Sequence, residues 1–146
     1  MRILGAWGPI EAAYVRALVI SEKFGVHLSM VRFLIDSGAS RTSLLDSDAE
    51  RLEIDLGQLQ RFGPGTTGIG GVVDTFILPD VTLLFRTAEG LHEERLSLFV
   101  LSHGLPEPET ADRIKKLPSL LGRDILNMYR LVLDRGTNLV LITDER

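Results

Sequence analysis

One short stretch constrains this chain more than any other. Val31-Arg32-Phe33-Leu34-Ile35, apolar but for Arg32, runs directly into Asp36-Ser37-Gly38-Ala39-Ser40, and the Asp-Ser-Gly motif occurs once. The apolar run has the pattern of a strand entering a core. A carboxylate at its end lies beside a low-dielectric interior, where an unpaired charge is costly or takes up a proton. Gly38 permits a tight turn, and Ser37 supplies a hydroxyl that can close it. The chain must therefore build a rigid strand whose last act is to present one acidic side chain.

Around that stretch the pattern is mostly β. Tyr14–Ile20 and His27–Ile35 read as strands separated by a turn at Glu22-Lys23-Phe24-Gly25. Val72–Leu78 and Val81–Thr87 read as strands divided by Pro79-Asp80. In Arg95–Leu101, Leu96, Leu98 and Val100 share one face, with Ser97 and Phe99 opposite. Leu131–Asp134 and Asn138–Ile142 flank Arg135-Gly136-Thr137 as a hairpin. Two helices are expected. Ser47-Asp48-Ala49-Glu50 has capping-box spacing and starts a short one, and Leu121–Tyr129 reads as the clearest helix. Gly104–Pro118 holds three prolines and six charged residues, which predicts a solvated loop or a short surface helix.

With 146 residues, no internal repeat and no linker, the pattern predicts a single domain over 1–146. Net charge is −4, which provides no electrostatic footprint for a nucleic-acid partner. There is no cysteine, so disulfides, thiolate nucleophiles and Cys-ligated zinc are excluded. No apolar run approaches the ~20 residues of a membrane span, and Gly5, Gly8 and Pro9 interrupt the first apolar residues, unlike a secretory leader. No membrane partner and a cytoplasmic location are the expectations.

Three separated motifs, in order, resemble the retropepsin-like aspartic proteases. Phe33 to Ser40 is similar to that family's catalytic Asp-Ser/Thr-Gly-Ala loop. Thr67-Gly68-Ile69-Gly70-Gly71 is similar to the glycine-rich tip of its flap hairpin, and Ser119-Leu120-Leu121-Gly122-Arg123-Asp124-Ile125-Leu126 to the element that begins its C-terminal helix. Together they frame about residues 13–142. Each alone is a common turn, loop or helix start; the order and spacing carry the resemblance.

The resemblance implies a closed β-barrel with a flap hairpin and one short C-terminal helix. It implies a homodimer in which Asp36 of each chain forms a catalytic dyad that hydrolyses polypeptide, without metal or other cofactor. In that frame Ser37 bonds across the two-fold axis, and Gly38 offers its carbonyl to an extended substrate. Ala39 completes the active-site loop. Gly68, Gly70 and Gly71 let the flap move, Ile69 touches substrate, and Gly122, Arg123 and Asp124 support the loop. One departure stands out: the family's Arg often pairs with an acid four positions after the catalytic Asp, and here that position is Ser40. Arg123 then needs another partner, Asp124 or a residue of the second chain. The alternative is a catalytically weak or inactive peptide-binding and dimerisation module on the same fold. Other chemistries find little support. His27, His92 and His103 lack metal-ligand spacing and read as surface or strand-face residues. The glycines at 68, 70 and 71 do not complete a dinucleotide fingerprint.

Overall fold

The computed structural model describes residues 1–63, 66–68, 71–104 and 107–146. In chain order the strands and helices are β1 (Arg2–Leu4), β2 (Ala6–Trp7), β3 (Ala13–Ser21), β4 (Val26–Ile35), β5 (Ser43–Leu44), α1 (Asp46–Arg51), β6 (Gln60–Arg61), β7 (Thr66–Gly68), β8 (Gly71–Thr87), β9 (Gly90–Ser102), α2 (Pro108–Lys115), β10 (Ser119–Leu121), α3 (Arg123–Leu126), β11 (Arg130–Asp134) and β12 (Leu139–Thr143).

Pairing runs β8-β9-β5-β10-β4-β3, and β3 pairs back onto β8, closing a six-stranded barrel. Closure removes the open edges that would otherwise template aggregation. Alternation along each strand fills the interior: Val31 and Phe33 from β4, Leu83 and Phe85 from β8, Leu98 and Val100 from β9, with Leu44 and Leu121, are all fully buried. Burying each of these larger side chains stabilises by about 1.5–3 kcal/mol. β1, β11 and β12 extend the sheet beyond the barrel, with Ile3 paired to Ile142 and Thr87.

Several expected elements take a different form. The helix expected over Leu121–Tyr129 is a strand followed by a single turn. Ser119–Leu121 joins the sheet parallel to Phe33–Ile35, and only Arg123–Leu126 is helical. Leucines 120 and 121 mimic a helical stripe with Ile125 and Leu126, but the slot between β4 and β5 claims them first. The expected capping box is also not used. α1 starts at Asp46, and its N-cap Leu45 makes no side-chain cap. Ser47 is exposed, while Asp48 binds Ser119 and Arg51 instead. The two strands around Pro79-Asp80 are one strand, β8, whose register slips between Leu78 and Val81; Asp80 takes φ 54° there. β9 begins five residues before Arg95, because a tight turn at Ala88-Glu89 pairs Thr87 with Gly90. Gly104–Pro118 contains the short surface helix α2. Among the described residues no helix is long and apolar enough to cross a membrane.

Candidate active site

Asp36 follows the last residue of β4. Its N–H donates to the Leu121 carbonyl at 3.0 Å, so the β4–β10 pairing fixes the backbone up to the acid itself. The turn then closes on Asp36: its Oδ1 accepts from the Gly38 N–H at 2.9 Å, and its carbonyl from the Ala39 N–H at 3.1 Å. Among the described residues Oδ2 accepts no hydrogen bond. A Cβ on Gly38 would lie 3.1 Å from Asp36 Oδ1, so a larger residue here would crowd the carboxylate and push it slightly aside. Ser37 is exposed, and its carbonyl rather than its hydroxyl holds the loop.

Beneath the loop lies a brace built from residues that sequence brings close only through the fold. Arg123 Nη1 donates to the Ser37 carbonyl at 2.9 Å, and the Arg123 N–H donates to the Ala39 carbonyl at 2.8 Å. A neutral carbonyl thus takes the place of the acid that Ser40 lacks. Asp124 is not the partner of Arg123, as one expectation had it. Its carboxylate accepts from the Thr42 N–H at 2.9 Å and from Thr42 Oγ1 at 2.6 Å. The same Thr42 oxygen accepts from the Gly122 N–H at 3.1 Å. Gly122 is packed so tightly that a Cβ would fall 2.5 Å from the Arg41 carbonyl carbon. Gly122, Arg123 and Asp124 therefore touch the Asp36 loop or the segment just after it.

Thr42 is the residue sequence reasoning missed. It is fully buried and ties both ends of the brace, yet nothing local distinguishes it from any other threonine. Further along, Ser119 Oγ donates to Asp48 at 2.6 Å and accepts from the Leu45 N–H at 3.0 Å, locking α1 to β10. His103 also differs from expectation. Its side chain is buried and meets Asp46 at 2.6 Å through Nδ1, joining the end of β9 to the start of α1.

In the hairpin, β7 pairs with β8 from Thr66↔Val73 to Gly68↔Gly71; the expected flap residues Ile69 and Gly70 lie outside the described residues. At its base the Phe62 N–H donates to the Thr75 carbonyl at 2.8 Å, Arg61 pairs with Asp74, and Phe62 packs on Phe99 at 4.9 Å. The Arg41 guanidinium also sits over the Phe99 ring, 5.5 Å from its centroid. Elsewhere, a polar cluster joins His92, Glu94 and Tyr129. Burial first, then the hydrogen bond and charge of Glu94, push the Tyr129 phenol well above its usual range. No group of three or more His, Cys, Asp or Glu residues arranged for a metal occurs among the described residues.

With that geometry in view, comparisons with solved structures agree on the architecture. A retropepsin-like aspartic protease from Rickettsia conorii superposes with a TM-score of 0.56 at 20% identity, over 97% of this chain and 90% of that one. EIAV protease, in complex with the inhibitor HBY-793, superposes at 0.50 and 20% identity, over 87% of this chain and 98% of that one. No protein-family model and no curated protein matches the sequence. The chain has a retropepsin-like fold.

Proposed function

We propose that this chain is an aspartic endopeptidase that acts as a homodimer on polypeptide substrates in the cytoplasm. The observation that carries the reading is the Asp36 carboxylate. A core strand delivers it, Gly38 holds one of its oxygens, the other accepts no hydrogen bond among the described residues, and the loop is braced from below. One chain supplies one such carboxylate. Two brought to ~3 Å at an effective dielectric of ~20 would repel by roughly 5–6 kcal/mol if both were ionised, so such a pair shares a proton. Aspartic proteases are the general example of that sharing. The ionised partner takes a proton from water as its oxygen attacks the peptide carbonyl, and the protonated partner donates to the group that becomes negative. Substrate would bind as an added strand, held by main-chain hydrogen bonds, with Gly38 on one side. The glycines at 68, 70 and 71 suit a hairpin that opens for a chain and closes over it.

Digestion of an unfolded protein at about pH 3 to 7 tests this. Asp36→Asn should lower turnover about a thousandfold while leaving the unfolding midpoint intact. By removing like-charge repulsion it should also tighten the dimer near neutral pH in sedimentation equilibrium. Cleavage at the wild-type rate by that variant would sink the proposal. A wild type that binds peptides but cuts none would instead support a peptide-binding module.

A further inference from the structure

On the outer face of the barrel, three neighbouring strands place arginines in one row. Arg16 of β3 is directly opposite Arg32 of β4. On the other side of β3, Leu18 opposes Leu84 of β8, and Arg86, two residues further along β8, lines the same groove as Arg16 and Arg32. All three are exposed. Like charges directly opposite destabilise a sheet, and the usual remedy, an interleaved acid, is missing. Among the described residues none of the three makes an ion pair. Glu93, opposite Leu84 on β9, is held by Arg95 at 3.1 Å.

The row lines a groove of about 730 Å³ whose other walls include Leu4, Leu18, Met30, Leu84 and Leu91. Leu4 and Leu91 are 66% and 62% exposed, a large apolar display for an unpartnered surface. At Met30 and Arg32 this groove meets a second, of about 310 Å³, lined by Arg51, Lys115 and Lys116. Its one acid, Asp48, is already taken by Arg51 at 2.8 Å and Ser119 at 2.6 Å. The chain as a whole carries −4, so this concentration of cations is local and not a reflection of composition.

We propose that this face docks an acidic, amphipathic polypeptide segment of a partner protein. Its carboxylates would meet the arginine row and the two lysines, and its apolar side chains would enter the groove. Strands lie about 4.8 Å apart, so three neighbouring strands span about 10 Å, a length that three extended peptide residues cover. The groove is concave, which suits a peptide and not a flat bilayer. Nor does it offer nucleic-acid bases an open stacking platform: Tyr14 and Trp7 already lie under Arg32 and Arg135, at 4.6 and 5.3 Å. Neither groove includes Asp36, so docking is separable from catalysis.

The test uses the whole chain and a labelled peptide of glutamates with leucine at every third position, followed by fluorescence anisotropy. Replacing all three arginines (Arg16→Gln, Arg32→Gln, Arg86→Gln) should weaken binding about tenfold, and added salt should weaken it in the wild type. Methyl resonances of Leu18 and Leu84 should move on titration. An unfolding midpoint no lower than wild type would show that the triple variant keeps its fold, since its like-charge contacts are relieved. Equal binding by wild type and triple variant, or by a peptide with every glutamate changed to glutamine, would overturn the proposal. So would tighter, arginine-dependent binding of single-stranded oligothymidylate or of phosphatidylserine vesicles.

Discussion

Asp124 and Asp134 each accept a hydrogen bond from the backbone of a threonine, and the two pairs serve opposite ends. Asp124 reaches Thr42 across 82 positions, half-buried under the Asp36 loop, and takes both its N–H and its hydroxyl. Asp134 takes the N–H of Thr137, three positions on, at the exposed tip of the C-terminal hairpin. The first pair joins distant chain segments in a partly buried setting. The second merely shapes a turn that the flanking strands would form anyway. Sequence distance and burial, not residue type, decide what such a pair is worth.

The largest expected effect comes from attacking the distant pair through its neighbour. Gly122→Ala drives a Cβ into the Arg41 backbone, so either segment must move and the Thr42 and Asp124 bonds go with it. Loss of about 3 kcal/mol or more is expected in urea unfolding. A loss below about 1 kcal/mol would mean that the brace is loose. Thr42→Val is a gentler cut, nearly isosteric. It strands the Gly122 N–H and removes one donor from the Asp124 carboxylate, for about 2–3 kcal/mol. A near-neutral result there would place the stability of the site in its packing alone.

An intermediate case sits where β6 pairs with β8. Arg61 and Asp74 lie 13 positions apart and join β6 to β8, but both are exposed. Arg61→Gln should therefore cost less than about 1 kcal/mol. A cost equal to that of Thr42→Val would show that separation in sequence outweighs burial.

The same contrast explains what the sequence revealed. Strands with clean alternation, the hairpin at Arg135-Gly136-Thr137 and the Asp36 turn were all legible, because their signals lie within a few residues. Thr42 was not, since its meaning depends on Gly122 and Asp124 arriving from the far end of the chain. Leu121 reads as helix for the related reason that its parallel pairing with Ile35 leaves no local trace. Arg16, Arg32 and Arg86 look like three ordinary surface cations until the fold gathers them along one groove.

The smallest expected effect tests the local pair by pH. Hydrogen bonding from the Thr137 side chain first, and its N–H second, holds the Asp134 carboxyl below the usual Asp range. A lowered folded value means that the ionised form is favoured by folding. The contribution is fully present above the ordinary, unfolded Asp value, and it is lost as pH falls through the lower folded one. Asp134 is fully exposed, so solvent screens most of this and the readout should be the titration itself. Carboxyl-carbon NMR across acidic pH should show Asp134 titrating higher in Thr137→Ala than in wild type, and the two proteins should differ in stability least at the acid end. An unchanged Asp134 titration would assign the shift to backbone donors alone. The turn would then hold its carboxylate without help from the threonine hydroxyl, unlike Asp124, whose shortest bond is to one.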